Sequence, residues 1–61
     1  KTYNYACYYC LINNTEKCKE MLLDAEKFNT LSKNISEDSD LENVRNEQWF
    51  VELLERLKTN E

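Results

Sequence analysis

Three cysteines, Cys7, Cys10 and Cys18, lie in the first third of a 61-residue chain that contains no histidine, no glycine and no proline. An odd number of thiols cannot pair completely within one chain. Without histidine, this chain also cannot complete a four-ligand zinc site from cysteine and histidine. The lack of glycine and proline argues against the loop-rich disulfide scaffolds of small secreted proteins. A group from outside the chain must therefore complete any full disulfide pairing or cysteine–histidine zinc site, or the site stays incomplete.

The length allows one domain, residues 1–61. A chain of this size buries only about 60% of the surface that its unfolded form exposes, so its isolated fold should be marginally stable. We therefore expect a stabilising device, which would be a disulfide, a metal ion or a partner that covers apolar surface.

Composition limits the classes of partner. Charged residues make up 33% of the chain and the net charge is −4, which argues against direct binding of nucleic acid phosphates. Apolar runs are only a few residues long, so we expect neither membrane insertion nor a signal peptide within these residues. A cytoplasmic location is favoured. Secretion is the alternative, and two glycosylation triplets, beginning at Asn13 and Asn34, support it.

Residues 1–12 are rich in tyrosine. Apolar residues alternate at Tyr3, Tyr5, Cys7 and Tyr9, which predicts a short extended arm. No second strand pattern follows, so this arm would pair with a copy of itself or with another protein, or would prove helical or irregular.

A first amphipathic helix is predicted at about residues 14–33. Asn13 or Thr15 would cap it, and Glu16 would complement the positive end of the helix dipole. Apolar residues then follow at spacings of three and four, namely Cys18, Met21, Leu22, Ala25, Phe28 and Leu31.

A polar connection at about residues 34–39 precedes a second predicted helix at about 40–59. Ser39 and Glu42 match a capping box. The early and late apolar residues of this helix point in different directions on a helical wheel, so it either bends near Asn46 or buries two faces. The predicted fold is all-α: a two-helix antiparallel hairpin with an N-terminal tyrosine-rich extended arm, completed by self-association or by a partner.

Two surfaces are candidate binding sites. The second helix carries aromatic and leucine side chains, which dominate small interfaces but also suit a core: Trp49, Phe50, Leu53, Leu54 and Leu57. An acidic patch precedes and begins that helix, and it either meets a basic partner or simply offsets the helix dipole: Glu37, Asp38, Asp40 and Glu42.

The cysteines allow three states. Cys7 and Cys10 have the spacing of zinc ligands, and Cys18 could supply a third thiolate. A disulfide could instead join Cys18 to Cys7 or to Cys10, or all three thiols could be free. We expect no cofactor, with zinc as the alternative. We also expect no enzymatic activity, because a cysteine nucleophile would lack a histidine base and two helices cannot enclose a sizeable pocket.

These observations predict a small acidic helical module that binds another protein, or a second copy of itself, through the apolar face of its second helix. Two alternatives follow from the same residues. One is an intracellular inhibitor, for instance of viral origin, whose acids block a basic nucleic-acid-binding site. The other is a secreted, disulfide-stapled effector or ligand fragment. Salt dependence separates the first alternative from the main prediction, since ionic contacts weaken with ionic strength.

Overall fold

The computed structural model of the protein describes residues 2–59, and this part of the chain contains no β-strand. The structure consists of three α-helices and two short 3-10 helices, in the order α1 (Thr2–Leu11), α2 (Thr15–Lys27), η1 (Lys33–Glu37), η2 (Ser39–Val44) and α3 (Gln48–Thr59). The all-α prediction is therefore confirmed. The predicted extended arm is wrong, because those residues form a third helix, which packs closely on α2.

Helix α1 buries residues at helical spacing. Ala6, Cys7 and Cys10 face the core, whereas Tyr5 and Tyr8 point outward. Apolar residues surround this helix on all sides, so its sequence lacks the polar face that normally reveals a helical period. The alternation of tyrosines that predicted a strand has no structural counterpart, since packing against α2 outweighs the strand preference of tyrosine.

Asparagine ends the first two helices in place of glycine. Asn13 has φ 65° and Asn29 has φ 60°, in the left-handed region where glycine is usual and asparagine is tolerated. At each end two backbone hydrogen bonds close the last turn. The asparagine N–H donates to the carbonyl three residues earlier, and the N–H of the following residue donates to the carbonyl five residues earlier, as from Asn14 to Tyr9 O at 2.8 Å. Helix α2 consequently ends at Lys27, well before the predicted residue 33.

The cap of α2 is Asn14, whose Oδ1 accepts from the Lys17 N–H at 3.3 Å. This residue lies between the two predicted caps, Asn13 and Thr15, so both of those assignments are wrong by one position. The hydrogen bond satisfies one of the backbone donors that the first turn of a helix leaves free.

The predicted second helix is two elements. The chain leaves η2 after Val44 and enters α3 at Gln48, so the predicted bend near Asn46 is a complete break. The cap of η2 is Asp38, which accepts from Asp40 N at 2.9 Å, so the predicted capping box at Ser39 is wrong. The break lets both groups of apolar residues reach one core, since each element takes its own direction.

The core is shared by the α1–α2 hairpin, η2 and α3. Its largest fully buried side chains come from four elements: Phe50, Leu22, Leu41, Leu53, Val44, Cys10 and Cys18. Fully burying a large apolar side chain contributes about 1.5–3 kcal/mol. At the surface, Arg56 on α3 forms a two-pronged ion pair with Glu26 on α2, at 2.7 and 2.9 Å. None of the helices described between residues 2 and 59 is long and apolar enough to cross a membrane.

Candidate functional site

A polar cluster joins the start of α1 to the junction between η1 and η2. Tyr3 and Cys7 lie one turn apart on α1 and therefore face the same direction. The Tyr3 hydroxyl donates to Asp38 Oδ2, and the Cys7 thiol donates to the same oxygen at 3.8 Å. Asp38 thus accepts from a residue 35 positions away in the chain while it also caps η2.

The environment fixes the protonation states of this cluster. Burial, followed by the hydrogen bond to Asp38, raises the pKa of Tyr3 above its usual range. Burial also raises the pKa of Cys7; the charges of Asp38 and Asp40 add to this effect, whereas the Tyr3 hydrogen bond opposes it. The hydrogen bond from Tyr3 holds the pKa of Asp38 below its ordinary value. At neutral pH the cluster therefore holds a carboxylate with a neutral phenol and a neutral thiol, which is a poor nucleophile.

One group of potential metal ligands occurs among the residues that the structure describes. The ligand atoms of Cys7, Asp38 and Asp40 lie within 4.8 Å of one another. Thiolate and carboxylate together suit zinc, although the Cys7 proton would have to be displaced. The group does not contain Cys10 or Cys18, so the structure brings together a different ligand set from the three cysteines that the sequence suggested.

Cys10 and Cys18 lie elsewhere in the core. Both side chains are fully buried, Cys10 in the last turn of α1 and Cys18 near the start of α2. Burial, and then the neighbouring Cys10, raise the pKa of Cys18 to about 12. On the opposite side, the Asn43 amide donates to Cys10 O at 2.8 Å and ties η2 to the end of α1. All three cysteines are free thiols in the structure.

The four acids of the predicted patch do not lie in one environment. Glu37 and Glu42 are exposed, whereas Asp38 and Asp40 are half-buried beside Cys7. Half of the predicted patch is therefore directed toward the chain's own polar cluster. The local turn at Asp38, which also caps η2, positions both aspartates there.

The residues predicted to bind a partner divide between core and surface. Phe50 and Leu53 are fully buried, and the Trp49 ring packs edge-on against Phe50 with centroids 5.7 Å apart. Leu54 and Leu57 are half-buried and line a shallow groove of about 220 Å³ together with Ser36, Val51, Glu55 and Lys58. In this conformation a partner could reach the groove but not the two core residues.

A second surface was not identified from the sequence. Four side chains on α1 and directly after its end are each more than half exposed: Tyr5, Tyr8, Leu11 and Ile12. We call this surface the outer α1 face. Their spacings of three, four and seven would have revealed one helical face had the segment been interpreted as a helix.

A pocket of about 390 Å³ opens beside the polar cluster. Its walls come from the start of α1 and from the segment between α2 and η2, and they comprise Tyr3, Thr30, Ser32, Asn34, Ile35, Glu37 and Asp38. It is a broad, open depression that leaves Asp38 accessible from one side.

No known protein family, curated protein or solved structure shows a significant match to this chain.

Proposed function

We propose that the protein is a small protein-interaction module, and that its binding surface is the outer α1 face. The observation that carries this proposal is the exposure of four large apolar side chains side by side: Tyr5 at 60%, Tyr8 at 56%, Leu11 at 59% and Ile12 at 53%. Single exposed apolar residues are ordinary, whereas a contiguous group on one helix face is typical of an interaction site.

The chemistry of this surface supports binding. Tyrosine is among the residues that contribute most to the energy of interfaces, because it buries a large ring at a small entropic cost. Residues 2–15 include no charged side chain. Binding at this face would therefore remove apolar surface from water without stripping water from an ion.

The occupant that we propose is a second copy of the chain. Each copy carries a net charge of −4, and all of that net charge lies in residues 31–61. Two copies approach with the least repulsion through an uncharged surface, and an α1-to-α1 contact about a two-fold axis matches each apolar side chain with an apolar neighbour.

The association should be weak. Four partly exposed side chains provide less than the roughly 800 Å² per partner of a standard stable interface. We expect a reversible dimer with a dissociation constant in the micromolar range or above, because the free energy gained by burying this area must first offset the cost of immobilising the two copies.

The proposal does not include catalysis or an acid-mediated inhibitory role. The raised pKa values of Tyr3 and Cys7 leave both groups protonated at neutral pH, so the polar cluster supplies no ready nucleophile. The predicted inhibitor would act through its acids, but Asp38 already bonds Tyr3 and caps η2.

Sedimentation equilibrium over a range of concentrations tests the proposal. The parent should show reversible dimerisation that strengthens or stays constant as salt is raised, because no ion pair contributes to the contact. Ile12→Lys places a charge in the outer α1 face and should give a monomer with an unchanged thermal midpoint.

Val51→Lys is the matched control. Val51 is also an exposed apolar residue, at 42%, but it lies on α3 beside the shallow groove. This variant should dimerise like the parent. A parent that stays monomeric at high micromolar concentration would overturn self-association. A monomer produced by Val51→Lys but not by Ile12→Lys would move the interface to α3, where the sequence had suggested it.

A further inference from the structure

We infer that Cys7, Asp38 and Asp40 form a zinc-binding site, with the Cys7 thiolate and one oxygen of each carboxylate as its three protein ligands. The three ligand atoms lie within 4.8 Å of one another, although the thiol belongs to α1 and the carboxylates belong to the turn that begins η2. The site shares no residue with the outer α1 face, so it is independent of the proposed self-association.

The contact between Cys7 and Asp38 already has nearly the separation that a shared zinc ion requires. Cys7 Sγ lies 3.8 Å from Asp38 Oδ2. Zinc binds sulfur at about 2.3 Å and a carboxylate oxygen at about 2.0–2.2 Å, so a tetrahedral ion places these two ligands roughly 3.6 Å apart. The ion would occupy the place of the thiol proton between the same two atoms.

The Cys7 side chain reaches the aspartates from inside the protein, which distinguishes this group from a surface acidic patch. The side chain is only 8% exposed, and the partner that the fold gives its thiol is a carboxylate. A sulfur ligand favours zinc over magnesium and calcium, which prefer oxygen ligands alone. The exposed acids Glu37 and Glu42 are not part of the ligand group.

The Asp38 carboxylate is held in place by hydrogen bonds from both sides. The Tyr3 hydroxyl donates to Oδ2, and the Asp40 N–H donates to Oδ1 at 2.9 Å. Carboxylates that bind metals are commonly oriented by such bonds. Arg45 Nη2 donates to the Asp38 backbone carbonyl at 3.0 Å rather than to the carboxylate, so this cation leaves the carboxylate to the site.

The pocket beside the polar cluster supplies an entry path. It has a volume of about 390 Å³, and its walls include Tyr3 and Asp38. A zinc ion with three protein ligands takes a water molecule in the fourth position, and solvent can reach Asp38 from this side. On binding, the Cys7 proton passes to solvent, and the charge of the ion offsets the repulsion between the two carboxylates.

The bound ion should stabilise the fold, because its ligands come together only when α1 packs against η2. A ligand that binds the folded chain and not the unfolded chain lowers the equilibrium constant for unfolding in proportion to its concentration. At a free zinc concentration of about 100 times the dissociation constant, that equilibrium constant should fall about 100-fold.

Titration of the reduced full chain with cobalt(II), followed by displacement with zinc, tests the site. Cobalt accepts the same ligands and absorbs characteristically when it is bound to a thiolate. The parent should give this absorption with one ion per chain, and zinc should raise its melting temperature. Cys7→Ser should lose the absorption. Asp40→Asn should weaken binding about 10-fold or more, since even residues that only orient a ligand commonly contribute that much.

Two variants serve as matched controls. Glu42→Gln removes an exposed acid from η2, two positions after Asp40, and should bind cobalt and zinc like the parent. Cys18→Ala removes a buried thiol from outside the site and should keep the thiolate absorption.

Three results would overturn the inference. The first is a parent chain that shows neither the thiolate absorption nor a rise in melting temperature with zinc. The second is absorption that survives in Cys7→Ser but disappears in Cys18→Ala, which would assign the ion to the other cysteines. The third is equal weakening by Asp40→Asn and Glu42→Gln, which would mean general attraction of cations to an acidic chain. The comparison of these two η2 variants decides the outcome even if Cys7→Ser fails to fold.

Discussion

Helices α1 and α3 both contribute fully buried side chains to one core, yet the sides that face away from that core differ. The outward side of α3 carries charged residues, such as Glu52, Glu55 and Lys58, whereas the outer α1 face carries only apolar and aromatic residues. Amphipathic patterning made α3 recognisable in the sequence and left α1 hidden. A periodic hydrophobic pattern requires one apolar and one polar side of the helix, so a helix that is apolar on both sides does not show the pattern.

The core side of α3 should give the largest effect. Phe50→Ala removes a fully buried ring and should cost about 3–5 kcal/mol, which approaches the whole stability of a domain this small. Val51→Ala, at the next and exposed position, should cost less than 1 kcal/mol. Urea denaturation of both variants checks this. Similar losses for the two would mean that α3 is rotated from its position in the structure.

The core side of α1 should give a smaller but clear effect. Ala6 is fully buried against the rest of the core, so Ala6→Leu should overpack the contact and cost about 1–3 kcal/mol. Tyr5→Leu, one position away on the outer α1 face, should be nearly neutral for the folded monomer. Thermal melts at low protein concentration compare the two. A neutral Ala6→Leu would restore the extended arm as the better description of these residues.

The polar link of α1 should have a smaller effect than the core substitutions and a distinctive pH dependence. Tyr3→Phe removes the hydroxyl that bonds Asp38 and should cost about 1–2 kcal/mol at neutral pH. Because the folded pKa of Asp38 is lowered, its contribution is present above the unfolded pKa, about 3.9, and is lost as pH falls through the folded pKa. Acid should therefore reduce the stability difference between parent and variant.

Arg56→Ala provides the comparison on α3, since its ion pair with Glu26 lies at the surface and such pairs contribute at most about 1 kcal/mol. It should leave the acid response of Asp38 unchanged. If the stability difference between parent and Tyr3→Phe stays constant from neutral pH to acid, the contribution of the Tyr3 hydroxyl does not depend on the ionisation of Asp38.

Local features of the fold could be predicted from the sequence. The start of α2 was located to within one residue, and the spacing of Cys18, Leu22 and Ala25 gave its buried stripe. The split of apolar residues around Asn46 indicated the break between η2 and α3. Each of these depends on neighbours within a few positions, where capping and periodicity operate.

The polar cluster could not be predicted from the sequence in this way. Tyr3 and Asp38 are 35 residues apart, and neither is unusual in its local context. From the sequence, Asp38 is predicted only as part of an acidic patch that meets a basic partner or offsets the helix dipole. Only the packing of α1 against η2 brings the phenol, the Cys7 thiol and the carboxylate together.

The sequence by itself determined the all-α class, the start of α2 with its buried stripe, and the uncharged composition of residues 2–15, because these follow from residue type and short-range spacing. Tertiary structure decided that residues 2–11 are helical, that the Cys7 thiol lies against Asp38, and that an apolar face of α1 remains outside. The physical reason is that burial is shared among elements: which side of an apolar helix faces inward depends on the surfaces that the rest of the chain presents to it.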